Sequence, residues 1–136
     1  MPDNGYFYEL LGDIEFAAGD YDAAVAAYEN ALQHVPDAPQ IQTALALVLT
    51  ERAAPGDNER ARELCLRANL TSPGALTYWA LARGYGSDAR ANWALAEYYS
   101  FMGNDKKARS YAKKAQKSLP HDTPEFIKSG DILRKK

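Results

Sequence analysis

Small and apolar residues recur along this chain at helical spacing, in blocks of similar length. Tyr8, Leu11, Gly12 and Phe16 fall on one side of a predicted helix. Gly19-Asp20 then predicts a stop: glycine suits the left-handed position after a helix, and aspartate caps the next one. In the helix that follows, Ala24, Tyr28 and Ala31 stand at i, i+4 and i+7, and Pro36 comes five residues later. The same offsets return in Ala61, Cys65, Ala68 and Pro73, and again in Ala108, Ala112, Ala115 and Pro120. Three copies with identical internal spacing predict a repeat protein, because each unit buries its apolar face only against a neighbour. The expected fold class is all-α, made of antiparallel helix pairs, with about seven to eight helices. Small residues at Gly12, Ala24 and Ala31 let paired helices approach closely.

The blocks divide the chain. Residues 5–38 form a first repeat and residues 39–75 a second, with Leu45-Ala46 in the place of Leu11-Gly12. The second repeat carries about three extra residues near Ala53-Ala54-Pro55-Gly56-Asp57-Asn58, which should lengthen its inter-helix turn. The stretch 76–122 is irregular. Trp79 begins a helix that Gly84, Gly86 and Ser87-Asp88 interrupt early, and one helix, Arg90 to Met102, then has to serve both a third and a fourth repeat. Thr123-Pro124-Glu125 supplies a cap, a proline at the first helical place and an early acid. A terminal helix over 123–134 follows, expected to cover the last apolar face with Phe126, Ile127, Ile132 and Leu133, and weakened by Gly130.

These residues resemble the tetratricopeptide repeat (TPR). Tyr8, Leu11, Gly12, Ala24, Tyr28, Ala31 and Pro36 match nearly every signature place of that motif. The resemblance implies a single domain, 1–136, folded as a right-handed TPR solenoid that binds protein or peptide. The first helix of each repeat would then face a groove, lined by Tyr6, Glu9, Asp13, Phe16, Gln40, Thr43, Leu47 and Thr50. The Lys and Asn residues with which carboxylate-clamp repeats grip chaperone C-termini are absent at those places, which argues against a chaperone-tail adaptor.

A narrower resemblance rests on the run Arg90-Ala91-Asn92-Trp93-Ala94-Leu95-Ala96-Glu97-Tyr98-Tyr99, on Gly103-Asn104-Asp105 with Ala108-Arg109, and on Leu119-Pro120, Thr123-Pro124 and Asp131-Ile132. With the opening Tyr6-Phe7-Tyr8-Glu9-Leu10, these are similar to the C-terminal TPR domain of bacterial periplasmic zinc metalloproteases of the beta-barrel-assembly-enhancing type. In that family an N-terminal protease domain holds zinc with a His-Glu-x-x-His helix, which nothing here matches. The resemblance implies a non-catalytic part of a larger enzyme and a periplasmic location. It implies as partners the chain's own upstream protease domain and outer-membrane barrel assembly components. The alternative is a free-standing TPR adaptor for an unrelated protein.

Composition adds polarity. The formal net charge is only −2, yet residues 1–64 carry twelve acids and three bases, a net of −9. Residues 103–136 carry ten bases and four acids, a net of +6. Lys106, Lys113, Lys114 and Lys117, with Lys107 and Arg109, form either a solvated basic face or a docking patch for an acidic surface. Nucleic acid is not expected, since the rest of the chain is acidic. No apolar run approaches the roughly 18 residues of a membrane helix, so no direct membrane insertion is expected. Met1-Pro2-Asp3-Asn4-Gly5 lacks the basic and apolar regions of a signal peptide.

Candidate chemistry is sparse. His34 and His121 have no patterned Cys, Asp or Glu beside them, and a zinc site needs three or four convergent ligands. Cys65 occupies a packing position and reads as a buried, inert thiol. Gly84-Tyr85-Gly86-Ser87 lacks the strand and the Gly-Lys-Ser/Thr of a phosphate loop. Asn69-Leu70-Thr71 fits a glycosylation acceptor only by coincidence on a helical surface. No cofactor, metal or catalytic group is expected.

Overall fold

The computed structural model describes residues 4–135, and the first three residues of the opening segment lie outside them. Among the described residues there are eight α-helices and no strand: α1 (Gly5–Ala17), α2 (Tyr21–His34), α3 (Pro39–Arg52), α4 (Asp57–Thr71), α5 (Ala75–Tyr85), α6 (Arg90–Phe101), α7 (Asp105–Ser118) and α8 (Pro124–Arg134). The chain divides into two compact units, Met1–Ser72 and Pro73–Lys136.

Local chemistry sets the helix ends. Asn4 caps α1, its Oδ1 accepting from the Tyr6 N–H at 2.9 Å, and Asp20 caps α2 by accepting from the Ala23 N–H at 3.1 Å. Gly19, at φ 81°, makes the left-handed step between them that a side chain would resist. Asn104 caps α7 and Thr123 caps α8, where Pro124 stands at the start of the helix.

In the first unit α1 pairs with α2, α3 pairs with α4, and α2 packs on α3. Its core is built by Ala24, Tyr28, Ala31, Ile41, Leu45, Val48, Ala61, Cys65 and Ala68, all essentially inaccessible. The repeated small residues therefore sit where helices touch. The extra residues of the second pair are shared out rather than looped. The linker is 53–56 where the first pair has 18–20, α3 runs six residues past Ala46 where α1 runs five past Gly12, and α4 starts four before Ala61 where α2 starts three before Ala24. Ala53 accepts a left-handed conformation, φ 53°, to make that turn.

In the second unit α6 packs on both α5 and α7, and α8 packs on α7 and α6. Ala96, Ala108, Ala112 and Ile132 form one cluster, with Tyr99, Tyr111 and Leu133 packed against it. The sequence pattern groups Leu11 with Gly12 on one side of α1, and the structure separates the two by burial. Leu11 is exposed, and Gly5 and Gly12 are the fully buried residues of α1. The reason is coverage: α2 is the helix that packs broadly on α1, so the rest of the α1 circumference keeps its apolar residues in solvent.

Candidate protein-binding surfaces

Gly12 governs how α1 sits. A Cβ there would come within 2.5–2.9 Å of the Tyr28 ring, so the absence of a side chain lets the ring pass under α1. The Tyr28 hydroxyl then donates to Asp13 Oδ1 at 2.6 Å, and burial beside that carboxylate raises the phenol well above its ordinary range. Glu9, one turn earlier, has its carboxyl pushed upward by partial burial and by the Asp13 charge.

The groove residues expected from the repeat pattern distribute unevenly. Asp13 and Phe16 come together with Ala17 and Tyr28 around one surface depression. Tyr6 and Gln40 are exposed, and Glu9, Phe16 and Leu47 are half-buried. Thr43 and Thr50 are buried, at 5% and 8% exposure, and the Thr50 hydroxyl donates to the Leu47 carbonyl at 2.8 Å. These two threonines offer almost no surface.

Sequence reasoning missed a second apolar surface on α1. Phe7, Leu10, Leu11 and Ile14 recur at i, i+3, i+4 and i+7 and are all exposed, Leu10 at 59% and Ile14 at 56%. The signal was present, since that spacing marks an apolar face, but periodicity cannot say whether anything covers the face.

On α7, Lys106, Lys113, Lys114 and Lys117 join Arg109 and Ser110 around another depression, on the side away from buried Ala108, Ala112 and Ala115. Lys114 Nζ stands 4.7 Å from the centre of the Tyr111 ring, and Lys107 Nζ stands 5.2 Å from that of Tyr99. The two rings stack at 5.5 Å, inclined by 10°.

Other polar groups are structural. Asp57 is buried at the start of α4, where it accepts from Arg52 Nε and Nη2, each at 2.8 Å, and from the Ala54 N–H at 2.9 Å. The Arg52 guanidinium holds the Asp57 carboxyl below the usual carboxylate range, against the opposing effect of burial. Arg52 also reaches Asp22 of α2 at 3.1 Å, tying the two helix pairs of the first unit. Cys65 is buried, which pushes its thiol up to about 12 and keeps it from acting as a thiolate. His34 stacks on Tyr8, and His121 stacks on Phe126. Among the described residues no three His, Cys, Asp or Glu side chains are grouped to hold a metal ion, and no helix is long and apolar enough to cross a membrane.

The sequence matches the family described as TPR repeat over residues 12–51, and that described as tetratricopeptide repeat over residues 89–120. The chain carries tetratricopeptide repeats. The first match runs from Gly12 through α2 into α3, and the second takes in α6 and α7, so the basic ridge lies on the second helix of a TPR. No curated protein matches the sequence. Among solved structures, the chain is similar to the crystal structure of MamA protein, with a TM-score of 0.54 and 21% identity over 98% of this chain and 86% of that one. That likeness shows a shared fold, which in this chain is all-helical and carries the TPR matches. TPR domains are in general non-catalytic and bind other proteins, and neither match indicates a catalytic family.

Proposed function

We propose that this TPR chain is a non-catalytic scaffold that docks a protein partner on α1, within a periplasmic zinc metalloprotease concerned with outer-membrane protein quality control. The carrying observation is the surface of α1. Tyr6, Phe7, Leu10 and Ile14 are 44–60% exposed on one helix, and neighbouring exposed apolar side chains of this kind mark a protein-interaction surface. Beside it, Asp13 and Phe16 open a depression that combines an aromatic anchor with a carboxylate. The protease setting, and with it the periplasmic location, is supported by the run from Arg90 to Tyr99 and by the segments around Gly103-Asn104-Asp105 and Thr123-Pro124.

Titration of the chain against the zinc-protease domain and against barrel assembly components tests both levels. Tyr6→Ala and Phe16→Ala should each weaken the authentic complex by about 1–3 kcal/mol while the helical circular dichroism is unchanged. A folded chain that binds neither component would remove the protease setting. Binding that both substitutions leave intact would remove α1 as the docking element.

A further inference from the structure

We propose that the solvent-facing ridge of α7 is a second docking site, taking an extended acidic segment of a partner protein. This inference rests on the scaffold reading and adds the site and the chemistry of the occupant. Lys106, Arg109, Lys113, Lys114 and Lys117 converge with Ser110 on one depression. Arg109–Lys113 and Lys113–Lys117 are i,i+4 pairs, and Lys106–Arg109 and Lys114–Lys117 are i,i+3 pairs. Like charges at such spacings each cost a helix about 0.2–0.5 kcal/mol.

No ion pair among the described residues offsets that repulsion. Among the described residues, none of these four lysines has a carboxylate within ion-pair distance. Arg109 donates to the Lys135 backbone carbonyl at 3.3 Å, and among the described residues it makes no ion pair with a carboxylate. On the flank, the Tyr99–Tyr111 stack carries Lys107 and Lys114 over its rings, which limits where those ammonium groups point. The ridge is thus a row of exposed cations, of which Lys114 is held over a ring.

Its dimensions select the occupant. From Lys106 to Lys117 a helix rises about 16 Å, which about five residues of extended chain would span. The lining of the depression holds no apolar side chain to enter a bilayer, and the chain's formal net charge of −2 disfavours a large polyanion. A short run of aspartate and glutamate matches the row in charge and length.

The test uses the whole chain and fluorescein-labelled hexaglutamate, followed by anisotropy at low and at physiological salt. The expected result is salt-dependent binding, with amide shifts confined to α7 and the adjoining Tyr99 region. Lys113→Glu with Lys114→Glu should weaken binding at least tenfold, and Arg67→Glu on α4 should change it less than twofold. Because glutamates near the C-terminal end of α7 oppose the helix dipole, Lys113→Gln with Lys114→Gln is measured alongside and should weaken binding several-fold. Unchanged affinity in the Gln pair, or shifts spread over the whole surface, would overturn the proposal. So would sedimentation with 3:1 phosphatidylcholine–phosphatidylglycerol vesicles that the Gln pair abolishes, since the ridge would then face a membrane. Hexaglutamate binding by a chain that ignores the zinc-protease domain would uphold the ridge while removing the protease setting.

Discussion

Two glycines show how much a single missing Cβ decides. At Gly12 an added methyl meets the Tyr28 ring at 2.5 Å, and that ring is buried and held by its bond to Asp13. Overpacking of this kind costs about 1–3 kcal/mol, against about 1 kcal/mol gained in helix propensity. Gly12→Ala should therefore destabilise by up to about 2 kcal/mol in a denaturant titration. At Gly130 the nearest atoms are the ends of Gln116 and Arg134, flexible side chains that can yield, at the cost of lengthening the 3.3 Å bond from Gln116 Nε2 to the Phe126 carbonyl. There the propensity gain of up to about 1 kcal/mol wins, and Gly130→Ala should stabilise. Both helices were legible with these glycines in place, but only the packing separates a required glycine from a dispensable one. Asp57 belongs to the same scale. Asp57→Ala removes a buried carboxylate from a guanidinium that is itself partly exposed, at 28%, so about 2–3 kcal/mol should be lost, less than for a fully buried pair. Its carboxyl is depressed in the folded state, so its contribution is present at neutral pH and fades as pH falls through and below the ordinary carboxylate range. Melting curves of wild type and Asp57→Ala should accordingly converge in acid.

Among the elements, α6 carries the most conflicted group. Glu97 is raised above its ordinary range chiefly by burial, although the Tyr78 hydroxyl donates to it from α5 and Lys128 and Lys135 lie near. A carboxyl raised on folding holds its proton more tightly in the folded state than in the unfolded one. Stability therefore falls as pH rises through the raised value, which is the opposite direction to Asp57. Glu97→Gln keeps an acceptor for Tyr78 and carries no charge. It should raise the melting temperature at neutral pH, and the gain should shrink as pH falls through the raised value to the ordinary carboxylate range, which thermal melts at pH 4 and pH 7 would check. The sequence placed Glu97 inside a recognisable run but did not show its burial, because Tyr78 reaches it from another helix. The basic ridge of α7 was legible for the converse reason. Its residues and its buried alanines all lie on one helix, so helical spacing alone sorts them into two faces.

At the scale of the whole molecule, the histidines and Cys65 lie in separate packing environments, so the purified chain should retain no stoichiometric zinc after dialysis. Elemental analysis is the check, and one bound equivalent would require a ligand set that these side chains do not form among the described residues. What the sequence determined by itself is the set of features whose causes are local. Helix ends follow from Asn4, Gly19-Asp20, Asn104 and Thr123-Pro124, whose capping bonds close within two or three residues. The repeat follows from alanine and cysteine offsets that mark where helices touch. Tertiary structure alone decided which apolar faces stay open and which polar groups are buried. Periodicity shows that one side of α1 is apolar, but whether Leu10 and Ile14 meet solvent depends on which helices pack there. Thr43 and Thr50 are groove residues by the TPR resemblance and lie buried, because accessibility belongs to the assembled helices and not to any one of them.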